Sequence, residues 1–226
     1  NANPYTALLY QEIEKQGVEV VEFDLANCND QNVDVLHVHW PEWFLARRNP
    51  LVVANNYRAW MNRLHVAKEK GSKIVWNVHN LRSHDRRHEW LQKRYWREFR
   101  SLVDGCICLS ESSRLLLTNK AMAPKFASEV IPHGHYRDAY PMKINRRDAR
   151  DRFEITESAF VLVHIGLLRE YKNVPALLKS FKETRGDSRL IVAGEVFDPQ
   201  LRRRIEAESG DPRTTVKFKR IADDDL

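Results

Sequence analysis

The residues best suited to do chemistry in this 226-residue sequence form one short run, Gly166-Leu167-Leu168-Arg169-Glu170-Tyr171-Lys172-Asn173. The run lies between an apolar β-branched stretch and a helical one. A strand-to-helix turn offers backbone N–H groups and the positive end of a helix dipole. Arg169 adds a planar fork and Lys172 a point charge, both suited to phosphate oxygens, so the run is an anion site in outline. An ordinary exposed loop with two solvated cations is the alternative that composition leaves open. His84 and His88 stand four apart around Asp85, a spacing that can set two imidazoles on one metal. The middle acid is Asp rather than Glu and Arg86 and Arg87 stand beside it, so a solvated helix start is expected there. His37 and His39 alternate and share one strand face; beside Trp40 they are expected as core and cleft-rim residues. Cys106 and Cys108 alternate in the same way and read as small core hydrophobes.

These groups need elements to position them, and the pattern supplies strict alternation of strands and helices. Asn3-Pro4 opens a helix carrying Leu8, Leu9 and Ile13 that stops at Gly17, and Val18 to Phe23 then alternates as a strand. Val33 to Val38 is a nearly continuous apolar run, as in a buried parallel strand. Asn49-Pro50 caps a helix with Val53, Tyr57, Trp60, Met61 and Leu64 on one face. Strand Lys73 to Val78 follows, then a helix capped by Ser83 that presents Leu91, Tyr95, Phe99 and Leu102. Strand Gly105 to Leu109, a short helix capped by Ser110 and strand Ser128 to Ile131 come next. Tyr136 to Asn145 has no clear period and contains Pro141, the texture of a linker. A second series then begins, with strands Phe160 to Ile165, Arg189 to Ala193 and Thr214 to Phe218 around helices Val174 to Phe181 and Pro199 to Glu208. The expected organisation is a Rossmann-like domain over 1–135, a linker and helix over 136–158, and the start of a second such domain over 159–226. In such sheets ligands sit beyond the carboxyl ends of the strands. The chain opens on a helix with no strand before it and stops where another helix should begin, so the first domain is expected to lack its opening strand and the second to be incomplete.

Composition narrows the classes. Thirty-seven Lys and Arg against 31 Asp and Glu give a net charge of +6, and 42% of residues are hydrophobic, which excludes dominant disorder. The longest stretches free of these charged residues are 11 residues, short of the ~20 that span a bilayer. Three cysteines without a CxxC pair suit neither a disulfide scaffold nor structural zinc, and the expected home is the reducing cytosol. The positive charge favours anionic partners. Between Arg82 and Arg100, seven basic side chains face three acidic ones, with Trp90, Tyr95, Trp96 and Phe99 interleaved. Such a segment can lie on an acidic membrane surface or contact nucleic acid, although most of these aromatics are expected to face the core above a solvated basic face.

Taken together, Ile165 to Phe181, Gly194-Glu195 and Phe218-Lys219-Arg220-Ile221-Ala222-Asp223 resemble the donor-binding half of retaining GT-B glycosyltransferases of family four. Val38-His39-Trp40-Pro41, Val78-His79-Asn80 and Val130-Ile131-Pro132-His133-Gly134 resemble, in order, the strand ends and interdomain turn of the amino-terminal domain in the same family. The resemblance implies two doubly wound α/β domains and transfer of a hexose from a nucleotide diphosphate sugar to an acceptor hydroxyl with retention. It implies that Gly166, Arg169 and Lys172 grip the donor diphosphate, and that Glu195, Arg220 and Ile221 belong to the donor site, with the Arg220-Ile221 backbone meeting the base. It also implies that His79 reaches toward the donor sugar and acceptor as the catalytic histidine, serving turnover more than folding. His133 stands where the family more often has Asn, and the family's pair of glutamates seven residues apart would lie beyond Leu226. The implied partners are a nucleotide-sugar donor and a glycan or lipid-linked acceptor, as in polysaccharide synthesis. Peripheral contact with the inner membrane face through residues 82–100 is expected, with no nucleic acid and no metal or other cofactor. These 226 residues alone are expected to be inactive. A non-catalytic α/β module that binds a phosphorylated ligand or an acidic polymer is the competing reading.

Overall fold

The parallel strands expected from the β-branched runs form two separate sheets. In a computed structural model, residues 4–23, 32–45, 47–81, 88–118, 126–136, 139–140 and 144–221 are described. The chain divides into two compact units, Asn1–His135 and Tyr136–Leu226.

The first unit contains α1 (Tyr5–Glu14), β1 (Val35–Val38), α2 (Pro50–Glu69), β2 (Lys73–Val78), α3 (Glu89–Leu102), β3 (Gly105–Cys108), α4 (Glu111–Thr118) and β4 (Ala127–Val130). The strands run parallel in the order β1-β2-β3-β4. Local chemistry sets the helix starts. The Asn49 side chain accepts from Leu51 N, with Pro50 in the first turn, and Ser110 Oγ accepts from Ser113 N. The face of α2 picked out by spacing, Val53, Tyr57, Trp60, Met61 and Leu64, is buried against Ile74, Trp76 and Val78 of β2 and Tyr95 and Phe99 of α3. Each such side chain contributes roughly 1.5–3 kcal/mol. Cys106 and Cys108 are buried in this core, and burial pushes the Cys106 thiol up to about 12, which makes it a poor nucleophile. Asp104 ties the helix layer to the sheet by accepting from Lys68 Nζ at 2.6 Å and from Ile74 N at 2.8 Å.

One expected strand does not form. Val18 to Phe23 takes no place in the described sheet, and Val18 and Val21 are exposed while Phe23 packs on the core. Alternation alone does not make a strand; a neighbour for its backbone groups is also needed, and none is seen among the described residues.

The second unit contains α5 (Arg146–Arg152), β5 (Phe160–Ile165), a 3₁₀ turn (Glu170–Lys172), α6 (Val174–Lys182), β6 (Ser188–Ala193), α7 (Pro199–Glu208) and β7 (Thr214–Lys217). Its three strands are parallel in the order β5-β6-β7. Leu168, Val174, Leu178, Phe181, Leu190, Val192, Leu201 and Ile205 form its core. Arg150 of α5 is buried and donates to the carbonyls of Thr156 and Ala159, fastening that helix to the start of β5.

Candidate active site

In the first unit, the carboxyl ends of the strands gather histidines. His39 follows β1 directly, His79 follows β2 directly, and His133 comes three residues after β4. The pairing of Val38 with Trp76 brings His39 level with Asn77. The ring contacts that result are close. His39 Nδ1 lies 3.1 Å from His79 Nε2, Asn77 Nδ2 lies 3.1 Å from the same His79 nitrogen, and His39 Nε2 lies 3.0 Å from the Tyr10 hydroxyl. Tyr5 of α1 stands edge-on to His79 and at 4.6 Å from His133, while Trp40 stacks on His79 at 4.4 Å. Burial, followed by the neighbouring His37 and His79, holds His39 down to about 3; burial, followed by His133 and His37, holds His79 down to about 4. Both rings are therefore neutral at pH 7. Burial, with Tyr5 nearby, pushes Tyr10 up to about 12, so its hydroxyl keeps its proton.

His79, expected to serve turnover more than folding, is also held by its neighbours. With His39 and Asn77 both 3.1 Å from its Nε2 and a stacked indole, truncation to Ala would also cost stability, and His79→Gln is the cleaner probe of function. Tyr5, Tyr10 and Asn77 were not singled out by motif or spacing. Tyr5 and Tyr10 meet partners 72 and 29 residues away, while Asn77 stands two residues before His79 and shows in the sequence only as a polar residue within the apolar run Ile74 to Val78.

In the second unit, the loop after β5 is held by backbone. Gly166 N donates to Ala193 O, Leu168 N to Glu195 O, Lys172 N to Arg169 O and Asn173 N to Glu170 O. The turn therefore offers fewer N–H groups than its position suggested, and the side chains of Arg169 and Lys172 carry the positive charge. Arg169 is exposed and Lys172 half-buried. A Cβ on Gly166 would meet Lys172 Nζ at 3.4 Å, so the ammonium lies over the glycine. His164 of β5 sits nearby; burial and then the Lys172 charge hold it below the ordinary imidazole range, and its buried Nε2 has no partner among the described residues. Glu170 pairs with Arg204 of α7 at 2.8 Å. Glu195 follows Gly194 just past β6, and Arg220 and Ile221 lie just past β7, so every donor-site residue named from sequence falls at or beyond a strand's carboxyl end.

Of the basic segment, Tyr95, Trp96 and Phe99 are core, whereas Trp90 is 68% exposed. A groove of about 350 Å³ beside it is lined by side chains of α2 and α3 alone, including Tyr57, Arg58, Arg94 and Glu98. His88 precedes α3 with its ring nitrogen 3.3 Å from Arg47 O. Arg82, His84, Arg86 and Arg87, the expected Ser83 cap, Cys28 and the Asp223 end of the last motif lie outside the described residues. Among the described residues, no group of three or more His, Cys, Asp or Glu is arranged to hold a metal ion.

The comparisons with known proteins bear on the whole arrangement. No protein-family model matches the chain. It is 28% identical over 208 residues to a GDP-mannose:glycolipid 4-beta-D-mannosyltransferase of Xanthomonas campestris pv. campestris, covering 91% of this chain and 54% of that protein; a second protein of the same name is 27% identical over the same length. The chain therefore spans about half the length of the curated relatives it matches. Among solved structures, Anabaena HepE with UDP and glucose superposes with a TM-score of 0.57 at 14% identity over 88% of this chain and 50% of that one. A glycosyltransferase from Rickettsia africae gives 0.53 at 15% identity over 95% and 58%, and the trehalose-6-phosphate synthase OtsA gives 0.52 at 14% over 88% and 59%. The fold is the parallel α/β fold of GT-B glycosyltransferases, present here as two Rossmann-like sheets of four and three strands.

Proposed function

We propose that this chain is the acceptor-side unit and the beginning of the donor-side unit of a glycosyltransferase, which moves a hexose from a nucleotide diphosphate sugar to a hydroxyl of a glycan or lipid-linked acceptor. The observation that carries the proposal is the sequence likeness to glycolipid mannosyltransferases over 91% of the chain. The placement of His79, Gly166, Arg169, Lys172, Glu195, Arg220 and Ile221 at or beyond strand ends supports it. In this reading Arg169 and Lys172 stabilise the departing diphosphate in place of a metal ion, the Arg220-Ile221 backbone meets the base, and His79 touches the reacting sugar or acceptor. GDP-mannose and a lipid-linked glycan are the first donor and acceptor to try.

The stereochemical course divides two readings. The resemblance to family four implies retention. A β-mannoside formed from GDP-mannose, whose sugar is α-linked, is instead a product of inversion, and the names of the relatives favour that second course. The test is to incubate the full-length protein with GDP-mannose and a lipid-linked acceptor, follow release of GDP, and assign the new linkage from its anomeric NMR signals. Acceptor-dependent release is expected; binding without release would leave only the non-catalytic module. Arg169→Ala should weaken nucleoside diphosphate binding by about 1.5–3 kcal/mol, the range for a charge-assisted contact, and unchanged affinity in calorimetry would remove the diphosphate from this loop.

Peripheral attachment to the cytosolic membrane face belongs to the same proposal. None of the described helices is long and apolar enough to cross a membrane. The His88–Arg47 hydrogen bond brings the start of α3 beside the start of α2, where Trp43, Leu51, Val52 and Trp90 are exposed among arginines. The chain should sediment with vesicles of phosphatidylcholine and phosphatidylglycerol, and Trp90→Ser should weaken this about tenfold, the scale of one large apolar side chain. Equal binding to uncharged vesicles would contradict the role of the arginines.

A further inference from the structure

Helices α2 and α3 lie side by side and run in the same sense. His88 before α3 meets Arg47 before α2 at one end, and Tyr57 and His65 of α2 stand against Glu98 of α3 further along. At most three residues separate the end of each helix from the strand that follows it. The helix starts therefore lie at the opposite edge of the sheet, where β1, β2 and β4 end and His39, His79 and His133 follow them.

The outward side chains along this pair are graded. One stripe of α2 carries Leu51, Arg58 and His65 at seven-residue intervals, and one stripe of α3 carries Trp90, Arg94 and Glu98 at intervals of four. All of these except Leu51 line the groove of about 350 Å³ between the helices. Counted from the helix starts, the order is apolar, then cationic, then a carboxylate with an imidazole. Leu51 and Trp90 are 78% and 68% exposed. Arg94 Nε donates to the Tyr57 hydroxyl oxygen at 3.3 Å, and buried Tyr57 donates in turn to Glu98. That contact uses one edge of the guanidinium. The terminal nitrogens of Arg94, and all of Arg58, have no hydrogen-bond partner among the described residues. Glu98 is engaged by Tyr57 and stands 3.7 Å from His65, so it repels an incoming anion less than a free carboxylate would.

A helix rises 1.5 Å per residue, so Arg58 lies ~10 Å beyond Leu51 and Arg94 ~6 Å beyond Trp90. The headgroup layer is roughly 5–8 Å deep on each side of the hydrocarbon, and helical side chains lean back toward the helix start. With Leu51 and Trp90 at the acyl boundary, both guanidinium groups reach the level of the phosphates while Glu98 and His65 stay in water. We propose that the groove between α2 and α3 seats the phosphate of an anionic phospholipid on Arg58 and Arg94, with the two helix starts pointed into the bilayer. The planar fork of arginine suits phosphate oxygens, and an exposed indole suits the interface. This rests on the membrane attachment proposed above. It turns the histidine-bearing end of the sheet toward the surface from which a lipid-linked acceptor would come.

The groove can be tested without vesicles or any transfer reaction. In the ¹⁵N-labelled 226-residue chain, the indole N–H signal of Trp90, assigned by its loss in Trp90→Phe, should shift saturably with monomeric dihexanoylphosphatidylglycerol. Arg94→Gln should weaken this binding about tenfold, the low end for a charge-assisted contact. Arg94→Lys, which keeps the charge and loses the fork, should weaken it about threefold. Arg203→Gln removes the same charge from the exposed side of α7 and should change nothing; an equal loss there would mean diffuse attraction and overturn the proposal. So would an equal shift with inorganic phosphate, an adventitious ion only, or with an alkyl glucoside, an apolar contact only. Should Arg94→Gln not fold, Arg58→Gln at an exposed position decides in the same way. Vesicle binding without the Trp90 shift removes the groove and leaves the attachment, whereas the shift without vesicle binding supports the groove and removes the attachment.

Discussion

Replacing Gly194 with alanine is expected to destabilise the second unit by about 3 kcal/mol, at the upper end of what overpacking usually costs. The added Cβ would lie 2.0 Å from the carbonyl oxygen of Gly166 and 2.8 Å from its carbon. Both are backbone atoms fixed by the pairing of β5 with β6 and by Gly166 N donating to Ala193 O, so neither can step aside without parting the strand ends. Gly166→Ala is a useful contrast. Its Cβ would meet only the flexible end of Lys172, and the cost comes from a φ of +116° that L side chains rarely adopt. The two units can be followed separately because all six tryptophans fall within Asn1–His135. Urea unfolding read by tryptophan fluorescence should be unchanged in Gly194→Ala, while the far-ultraviolet circular dichroism transition of the second unit moves to lower urea. A circular dichroism curve that matches the unaltered chain would mean that the two loops are not packed as described.

The first unit should lose stability on mild acidification. An unfolded imidazole titrates near 6.5, whereas His39 is held down to about 3 and His79 to about 4. Between these values the unfolded chain binds protons that the folded chain refuses. Stability is therefore complete above about pH 6.5 and falls as the pH drops through the window below it. Each buried histidine contributes up to about 1.4 kcal/mol per pH unit in that window, and half-buried His79 contributes less than His39. The urea midpoint from tryptophan fluorescence should be clearly lower at pH 5 than at pH 7, and His39→Gln should flatten the difference. An equal or higher midpoint at pH 5 would show that these rings charge freely in the folded state.

The sheet architecture was largely legible because its signals are local. Asn49-Pro50 caps its own helix, Ile74 to Trp76 is apolar because the strand is covered by helices, and both can be seen within ten residues. Val18 to Phe23 misled for the same reason: its alternation is local, but a strand needs a neighbour that the window does not contain. The loop after β5 was legible in place, between a strand and a helix, yet two of its N–H groups are taken by Ala193 and Glu195, which lie one strand further along, and two more by Arg169 and Glu170 within the loop. The histidine network was legible only as separate points. His39 and His79 each mark a strand end, but nothing near them announces Tyr5 or Tyr10, which reach them from α1.

The backbone bonds that occupy the donor loop have one more consequence. A phosphate-binding segment that must order itself around its ligand surrenders conformational entropy at the moment of binding. Here Gly166, Leu168, Lys172 and Asn173 are already fixed to their acceptors, and only the outer reach of Arg169 and Lys172 remains to be settled. Capture of the proposed diphosphate by this segment would then be closer to docking on a rigid bracket than to closure of a flap, and its affinity would depend on where two cations rest and hardly at all on how easily the chain can bend.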